Sequence, residues 1–303
     1  MPESRSADSD TSRYCWRKSS SAVALTLHGQ VVWQYNYDPQ LAKPYFHPLA
    51  TTTGQVLTWN QPQDHVWHHG LWFSWKFING VNYWEHNDAG APEGRTDWSD
   101  VQVVTRKDYS SSITMELRYL AADTEVALLE RRWIKVSPPA ESGDYRIDWT
   151  STFTAIQPAK LDRTPPQPQA PGGYAGLSVR FADNFADRQA VDLAGPIADD
   201  GDRFRGQSGA LEYNGVVGGA PAGLAILDSP ANPRHPTPWY LIRAPKMSYV
   251  NAAFLHDEPL SLAAGEQFTL CYRVVVHNDR WNTADLQSAY HEFADTAASI
   301  ANE

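Results

Sequence analysis

Hydrophobic and polar residues alternate over several long stretches of the chain. The alternation is clearest over residues 113–119, 145–153 and 268–276, where nearly every second side chain is apolar. A repeat of two places alternate side chains on opposite faces of an extended strand, so these stretches predict half-buried β-strands. Turn clusters such as 108–112 and 218–221 separate the strands, and their spacing fits antiparallel connections better than helical crossovers. The pattern predicts an all-β fold.

One segment near the end of the chain departs from this alternation. After Asn282 and Thr283, either of which can cap a helix, apolar residues recur at helical spacing. The apolar positions are Leu286, Tyr290, Phe293, Ala297 and Ile300. We therefore expect an amphipathic C-terminal helix over about residues 283–301 that packs against the strand-rich body.

Two further stretches predict irregular structure. Residues 1–17 are polar and lack the apolar centre of a secretory signal, which predicts a disordered leader on a cytoplasmic protein. Residues 158–173 are rich in proline and glycine, so they form either a linker between two domains or a long surface loop. Strand patterns of the same character continue on both sides. This continuity favours the loop and a single β-sandwich domain over residues 18–303.

Charge and aromatic content limit the function classes. The 303-residue chain has 25 Lys plus Arg and 35 Asp plus Glu, a net charge of −10, which argues against a nucleic-acid partner. Its apolar runs are far shorter than the roughly 20 residues that span a membrane. No glycine-rich phosphate loop is present, so no nucleotide cofactor is expected. The 12 Trp, 14 Tyr and 10 Phe suit strand faces, and they equally suit stacking on sugar rings.

Histidines are concentrated in one region of the sequence. The cluster consists of His47, His65, His68, His69 and His86, with Asp64 preceding its central part. Imidazole binds metal ions and transfers protons near neutral pH, so the cluster predicts a metal site or an acid/base site. A structural role in an aromatic-rich core is the alternative.

A metal site in this cluster would need three protein ligands. His65 and His68 are the first two, and the third would come from His47, Glu85 or His86. Asp64 would orient an imidazole. The Asn-Gly pair at 79–80 predicts a hairpin that brings Glu85 to the same side of the chain as the histidines.

A second unusual stretch covers residues 228–240 and contains four prolines within nine residues. Prolines leave the backbone little freedom, so the loop would display its polar and aromatic side chains from a rigid frame. These side chains are Asn232, Arg234, His235 and Trp239. Rigid loops of this kind are typical of binding sites, and they also serve stability without any ligand.

Several of these motifs together resemble the bacterial PmoA-like family, also labelled methane oxygenase PmoA. The matching stretches are 44–49, 53–54, 62–72, 79–80, 172–178, 228–239 and 272–277. The resemblance departs at His69, where many family members have an arginine. The membrane subunit behind the family label does not fit a chain without a spanning segment, so methane oxidation is rejected.

The resemblance implies a carbohydrate-associated protein with the β-supersandwich of galactose mutarotase-like proteins, which bind sugar on a concave sheet face. In this interpretation Trp67, Trp72 or Trp239 stacks on the ring, and Asn232, Arg234 and His235 bind its oxygen atoms. Catalysis falls to His65, His68, His47 and Glu85. A metal-assisted form of this chemistry would place a divalent ion (zinc, manganese, iron or calcium) on His65, His68 and His47. The reaction is that of a lyase, hydrolase or epimerase, and the alternative is a non-catalytic carbohydrate-binding protein.

Overall fold

The structure is a computed structural model that describes residues 14–121, 125–167, 171–198 and 201–300. It consists of antiparallel strands followed by one helix, α1, at Thr283–Ile300. The first strands are β1 Tyr14–Lys18, β2 Ala22–Leu27, β3 Gln30–Asn36, β4 Tyr45–Leu49, β5 Leu71–Ser74, β6 Phe77–Ile78, β7 Val81–Asn82, β8 Arg95–Thr105, β9 Ser111–Leu120, β10 Val126–Val136 and β11 Tyr145–Ala155. The remaining strands are β12 Ala159–Asp162, β13 Gly176–Arg180, β14 Ala186–Asp192, β15 Gly195–Pro196, β16 Arg203–Gln207, β17 Ala210–Val217, β18 Ala220–Asp228, β19 Pro238–Ala244, β20 Met247–Ala252, β21 Leu260–Leu262 and β22 Gln267–His277.

Two nine-stranded sheets form the body. The first has the order β1-β2-β3-β4-β5-β13-β20-β19-β16, and the second has the order β15-β14-β17-β18-β22-β11-β10-β9-β8. Their inner faces share one hydrophobic core, in which Phe73 of the first sheet lies 5.3 Å from Phe153 of the second, between ring centroids. The predicted all-β fold, a large antiparallel sandwich with a C-terminal helix, is confirmed.

A small third sheet, of order β21-β12-β6-β7, lies beside the sandwich. Its hairpin turns at Asn79 and Gly80, whose φ angles of 51° and 86° suit the tight turn that the Asn-Gly pair predicts. Its strand β12 falls inside the stretch 158–173, so the prediction of a proline-rich loop over that whole stretch is wrong. Pro158 precedes β12 and the next proline is Pro165, so the four residues of β12 keep their backbone donors and can pair. Residues 168–170 lie outside the described residues.

The helix α1 packs against the outer face of the second sheet. Leu286 and Phe293 are buried there among apolar residues of that sheet, as the helical spacing predicts. Asn282 caps the helix, because its side-chain oxygen accepts the backbone N–H of Ala284 at 2.7 Å. Within the described residues, no helix has the length and apolar character needed to cross a membrane.

The N-terminal boundary differs from the prediction. Residues 14–17, assigned above to a disordered leader, belong to strand β1, which pairs with β2 over five residues. Trp16 packs edge-on against the buried Trp33, so an apolar contact fixes a stretch that is polar by composition. Residues 1–13 of the leader lie outside the described residues.

Candidate functional site

The outer face of the first sheet, which points away from the shared core, is lined with aromatic residues. The strand register aligns Tyr240 of β19 with Asn251 of β20, then with Ser178 of β13 and Trp72 of β5. A separate apolar cluster covers this face and includes Tyr45, Trp72, Trp84, Tyr240, Ile242 and Tyr249. This face is the floor of the site described below.

Residues 60–70, here called the histidine loop, form the second half of the connection between β4 and β5. Two backbone hydrogen bonds shape the loop, from His65 N to the Pro62 oxygen and from His68 N to the His65 oxygen, both at 2.9 Å. The loop ends at Gly70, where φ is 73° and a Cβ atom would collide with the backbone oxygen of Phe46. Only glycine therefore fits where the chain enters β5.

A cleft of about 220 Å³ opens between the histidine loop and the outer face. The histidine loop, the segment after β7, the segment before β13 and strands β16, β19 and β20 all contribute to it. It is lined by His65, Trp67, His68, Trp84, Glu85, Pro171, Tyr174, Arg203, Tyr240, Ile242, Met247 and Tyr249. The cleft brings together four residues singled out from the sequence, namely His65, Trp67, His68 and Glu85.

His65 is held by a carboxylate. Its Nδ1 lies 2.9 Å from Asp64 Oδ2, and Asp64 also accepts from Arg180 Nη2 at 2.8 Å. Burial raises the pKa of Asp64, but hydrogen bonds from Arg180 and His65 outweigh that effect and lower it. The ionised Asp64 accepts a hydrogen bond from the N–H at His65 Nδ1, which leaves Nε2 as the ring atom available for proton exchange.

His68 is more deeply placed than His65. It is 3% exposed, and it stacks between His65 and Tyr249, with ring centroids 4.7 and 5.2 Å away. Burial, with the nearby charges of His65 and Arg180, lowers the pKa of His68 well below its usual range. His68 is therefore neutral, and its buried Nδ1 has no hydrogen-bond partner among the described residues.

Glu85 is the carboxylate of the cleft. It pairs with Lys76, accepts from Asn82 Nδ2 at 2.8 Å, and accepts from the Tyr174 hydroxyl at 2.7 Å. Burial raises the pKa of Glu85, but the hydrogen bond and the charge of Lys76 overcome this and lower it. The same carboxylate and burial raise the pKa of Tyr174. Glu85 is thus ionised, and Tyr174 remains a hydrogen-bond donor.

A buried lysine lies behind the cleft. Lys43 is 3% exposed and donates to the backbone oxygens of Tyr83 and Trp84, at 3.3 and 3.2 Å. Burial lowers the pKa of Lys43 to about 7, although the charge of Glu85 raises it. Lys43 also lowers the pKa of His69, whose burial is the larger cause.

The predicted three-histidine metal site does not assemble. His47 Nδ1 is 3.0 Å from the Thr58 hydroxyl, and burial lowers the pKa of His47 to about 4. His47 is not among the residues that line the cleft with His65 and His68. In the part of the chain that the structure describes, no group of three or more His, Cys, Asp or Glu side chains is arranged to hold a metal ion.

Residues 22–291 match the family described as "Family of unknown function (DUF6807)". The chain belongs to DUF6807. The resemblance to the PmoA-like family finds no support in the comparisons, and no curated protein matches the chain.

Solved structures resemble this DUF6807 chain at low sequence identity. A Klebsiella pneumoniae protein provisionally assigned as an aldose 1-epimerase has a TM-score of 0.48 at 10% identity, covering 90% of this chain and 83% of its own. A galactose mutarotase related enzyme from Lactobacillus acidophilus has a TM-score of 0.42 at 9% identity, with coverages of 89% and 99%. An alpha-galactosidase from Lactobacillus brevis has a TM-score of 0.45 at 7% identity, covering 89% of this chain and 40% of the galactosidase. This chain therefore spans less than half the length of that enzyme.

Two tryptophans predicted to stack on a ligand are buried in the DUF6807 chain. Trp72 is 0% exposed and lies below His68, with ring centroids 5.0 Å apart. Trp239 is also 0% exposed, points into the shared core and donates from Nε1 to the Ser208 oxygen at 2.8 Å. Neither ring presents a free face, so both predictions are wrong.

Residues 228–238, here called the proline loop, do not line the cleft either. Asn232 donates to Asp228 at 2.7 Å and to the Cys271 oxygen at 2.8 Å. Arg234 donates to three backbone oxygens, including that of Glu258 at 2.8 Å. His235 Nδ1 lies 2.7 Å from Asp228. The predicted ligand-binding side chains of this loop are therefore used to hold the loop itself.

Several side chains that line the cleft gave no clear signal in the sequence. Tyr174, Arg203, Tyr240 and Tyr249 were not singled out. Tyr240 and Tyr249 lie on neighbouring strands, and their outward direction depends on the pairing register. Tyr174 lies within one of the stretches that carried the family resemblance, which was the available signal for it.

Proposed function

We propose that this protein is a carbohydrate-active enzyme that binds one sugar ring in the cleft and moves protons on it with His65 and Glu85. The observation that carries the proposal is their placement. An imidazole held by a carboxylate and a carboxylate held in its ionised form line the same aromatic cleft.

The walls of the cleft suit a sugar. Trp67 and Tyr174 are half-buried, and Tyr174 stacks parallel to Tyr240 at 6.4 Å between ring centroids. Aromatic faces pack against the apolar C–H faces of a pyranose, while the hydroxyl groups of the sugar need polar partners at the edge. Tyrosine hydroxyls, His65 and Glu85 supply such partners.

The proton-transfer roles follow from the charge states. Glu85 is ionised, so it is the group that accepts a proton from the substrate. His65, with Nδ1 committed to Asp64, donates a proton from Nε2 when its ring is protonated. One proton leaves the sugar to Glu85 and one returns from His65, so the charge of the bound substrate is conserved over the step.

The number of carboxylates favours one reaction class. Glu85 is the one carboxylate among the described residues that line the cleft. The usual glycosidase mechanism needs two opposed carboxyl groups, one on each side of the scissile bond. Base removal of a proton from a hydroxyl or from a carbon next to a carbonyl needs one base and one acid. This difference favours an epimerase or a lyase over a hydrolase.

A non-catalytic carbohydrate-binding protein is the second candidate function. The hydrogen bonding of Glu85 favours it, because Lys76, Asn82 and Tyr174 together use both of its carboxylate oxygens. A carboxylate held in this way can serve as a fixed acceptor for a sugar hydroxyl without taking its proton. The two candidates differ in whether turnover accompanies binding.

The test is to incubate the protein with a panel of reducing sugars and sugar acids in D2O and to monitor each sugar by NMR. The spectra report anomer exchange, deuterium uptake and double-bond formation. We expect the wild type to accelerate one of these processes, and His65→Ala and Glu85→Gln each to slow it by about 100-fold or more. His291→Ala and Glu141→Gln, at exposed residues outside the cleft, are the matched controls. Binding without turnover would favour the non-catalytic candidate, and absence of both would contradict the proposal.

A further inference from the structure

The charged side chains on the floor of the cleft are all of one sign. The strand register places Arg203, Ile242, Tyr249 and Arg180 in one row across β16, β19, β20 and β13. The neighbouring row begins with Arg205, beside Tyr240, and contains no acidic residue as far as Tyr45. These two rows therefore provide three arginines to this face and no carboxylate.

The three arginines differ in what they contact. Arg180 is 0% exposed and pairs with Asp64 at 2.8 Å. Arg205 lies over the ring of Tyr240, 4.7 Å from its centroid. Arg203 is exposed and lines the cleft, where its Nε donates to the Tyr240 hydroxyl at 3.1 Å. No described carboxylate forms an ion pair with Arg203, and its hydrogen bond to Tyr240 uses Nε rather than the two terminal nitrogens.

The other charges near the cleft do not cancel this cation. Glu85 is paired with Lys76, and Asp64 is paired with Arg180. Lys43 lies behind the cleft, and because burial lowers its pKa to about 7, it is charged in only part of the molecules at neutral pH. Arg203 thus presents a positive charge at the cleft of a protein whose net charge is −10. Such a charge attracts an anionic ligand.

We propose that the substrate is a uronic acid, a pyranose that carries a carboxylate, and that Arg203 binds this carboxylate. The inference rests on the proposed function, because it assigns a substrate class to the same cleft. A guanidinium group pairs with a carboxylate through two parallel hydrogen bonds, which fixes the ring as well as attracting it. The carboxylate would then orient the pyranose towards His65 and Glu85.

A carboxylate fits this position better than a phosphate does. Phosphate sites in proteins typically combine cations with several backbone N–H groups from a glycine-rich loop or a helix N-terminus. The described residues that line the cleft contain no glycine, and helix α1 packs on the other sheet. A single exposed arginine beside a tyrosine hydroxyl matches the planar geometry of a carboxylate.

The experiment is calorimetric titration of the full chain with matched ligand pairs. The pairs are glucuronate with glucose and galacturonate with galactose, and glucose 6-phosphate is added as the phosphate arm. We expect one uronate to bind at least 10-fold more tightly than its neutral partner. Arg203→Gln should weaken that uronate by about 10- to 100-fold and leave the neutral sugar within about twofold. Arg203→Lys should recover part of the loss, because it keeps the charge without the planar pair.

Arg95→Gln is the matched control, since Arg95 is an exposed strand residue that pairs with Asp97 outside the cleft. Equal binding of uronate and neutral sugar, or unchanged uronate binding by Arg203→Gln, would overturn the inference and leave the proposed function standing. Tighter binding of the phosphate than of either uronate would also overturn it. Failure of every sugar to bind would overturn the proposed function as well.

Discussion

The histidine loop and the proline loop contain similar side chains, but the structure uses them in opposite ways. Each loop pairs a histidine with an aspartate, Asp64 with His65 and Asp228 with His235. The first pair lies at a cleft, and the aspartate is 44% exposed. The second aspartate is 1% exposed and holds its own loop together.

The difference lies in how many partners each side chain already has. Asp228 accepts from Asn232, His235 and the backbone N–H of Thr237, and His235 Nε2 lies 3.2 Å from the Tyr290 hydroxyl. In the histidine loop, by contrast, His65 has one carboxylate partner and lines a cleft large enough for a ligand. The residue types in a loop therefore suggest a binding site. Side chains whose hydrogen-bonding groups are already used within the fold are not available to bind a ligand.

Replacing the histidine of each loop gives the largest expected contrast. His65→Ala should lower turnover by about 100- to 10,000-fold, because it removes a general acid. His235→Ala should leave turnover of the folded protein within about twofold, because His235 does not line the cleft. Steady-state kinetics on the sugar identified in the panel measures both. Equal losses in the two variants would place the proline loop in the catalytic machinery.

Removing the aspartate of the proline loop tests the structural half of the comparison. Asp228→Ala should lower the free energy of unfolding by about 2–4 kcal/mol, since three donors lose a buried acceptor. Urea unfolding followed by circular dichroism measures this change. Asp97→Ala, at an exposed ion pair, should change it by less than about 1 kcal/mol and is the control.

The unfolding free energy should depend on pH in opposite directions for the ionisable groups of the two loops. An unfolded chain protonates His68 below about pH 6.5, whereas the folded protein does not, because burial lowers the pKa of His68. The contribution of His68 to the unfolding free energy should therefore be constant above about pH 6.5. It should fall, as the pH drops towards 5, by up to about 1.4 kcal/mol per pH unit for this one group. His68→Phe should make that slope shallower.

Asp228 should act in the opposite direction at lower pH. Burial raises the pKa of Asp228 although His235 and Asn232 lower it, so the folded protein binds this proton before the unfolded chain does. Near pH 4, its contribution to stability should rise as the pH falls. Unfolding of Asp228→Asn across pH 3–5 checks the sign, because this variant should lack the contribution.

The smallest expected effect concerns the contact between the proline loop and helix α1. Tyr290→Phe removes the hydroxyl that lies 3.2 Å from His235 Nε2. Because Tyr290 is only partly buried, we expect a loss of about 0.5–1.5 kcal/mol in unfolding free energy and no change in turnover. A change in turnover would show that this end of the helix reaches the cleft.

Most strands with one buried face, and the C-terminal helix, could be predicted from the sequence. Alternation over 145–153 and 268–276 predicted β11 and β22, and helical spacing predicted α1, because each has one buried face. Strands β1 and β12 were missed, since their pairing depends on partners distant in sequence. Trp16, for example, is ordered against Trp33.

The site was only partly readable for the same reason. His65, Trp67 and His68 are neighbours in sequence, so their density was visible, and the Asn-Gly hairpin placed Glu85 near them. The burial of Trp72 and Trp239, by contrast, depends on which face of a strand meets the core. That face is set by the register of the whole sheet.

The arginine that lines the cleft lies on a β-strand, whereas the proton-transfer groups lie on connections between strands. Arg203 lies on a strand of the first sheet, while His65 and Glu85 lie on connections outside the strands. Connections tolerate insertion and replacement far better than paired strands do. Relatives of this chain could thus acquire new reactions by exchanging loops above an unaltered sheet. The same division would let a protein engineer change the ligand-binding residues on the sheet and the reactive residues on the loops separately.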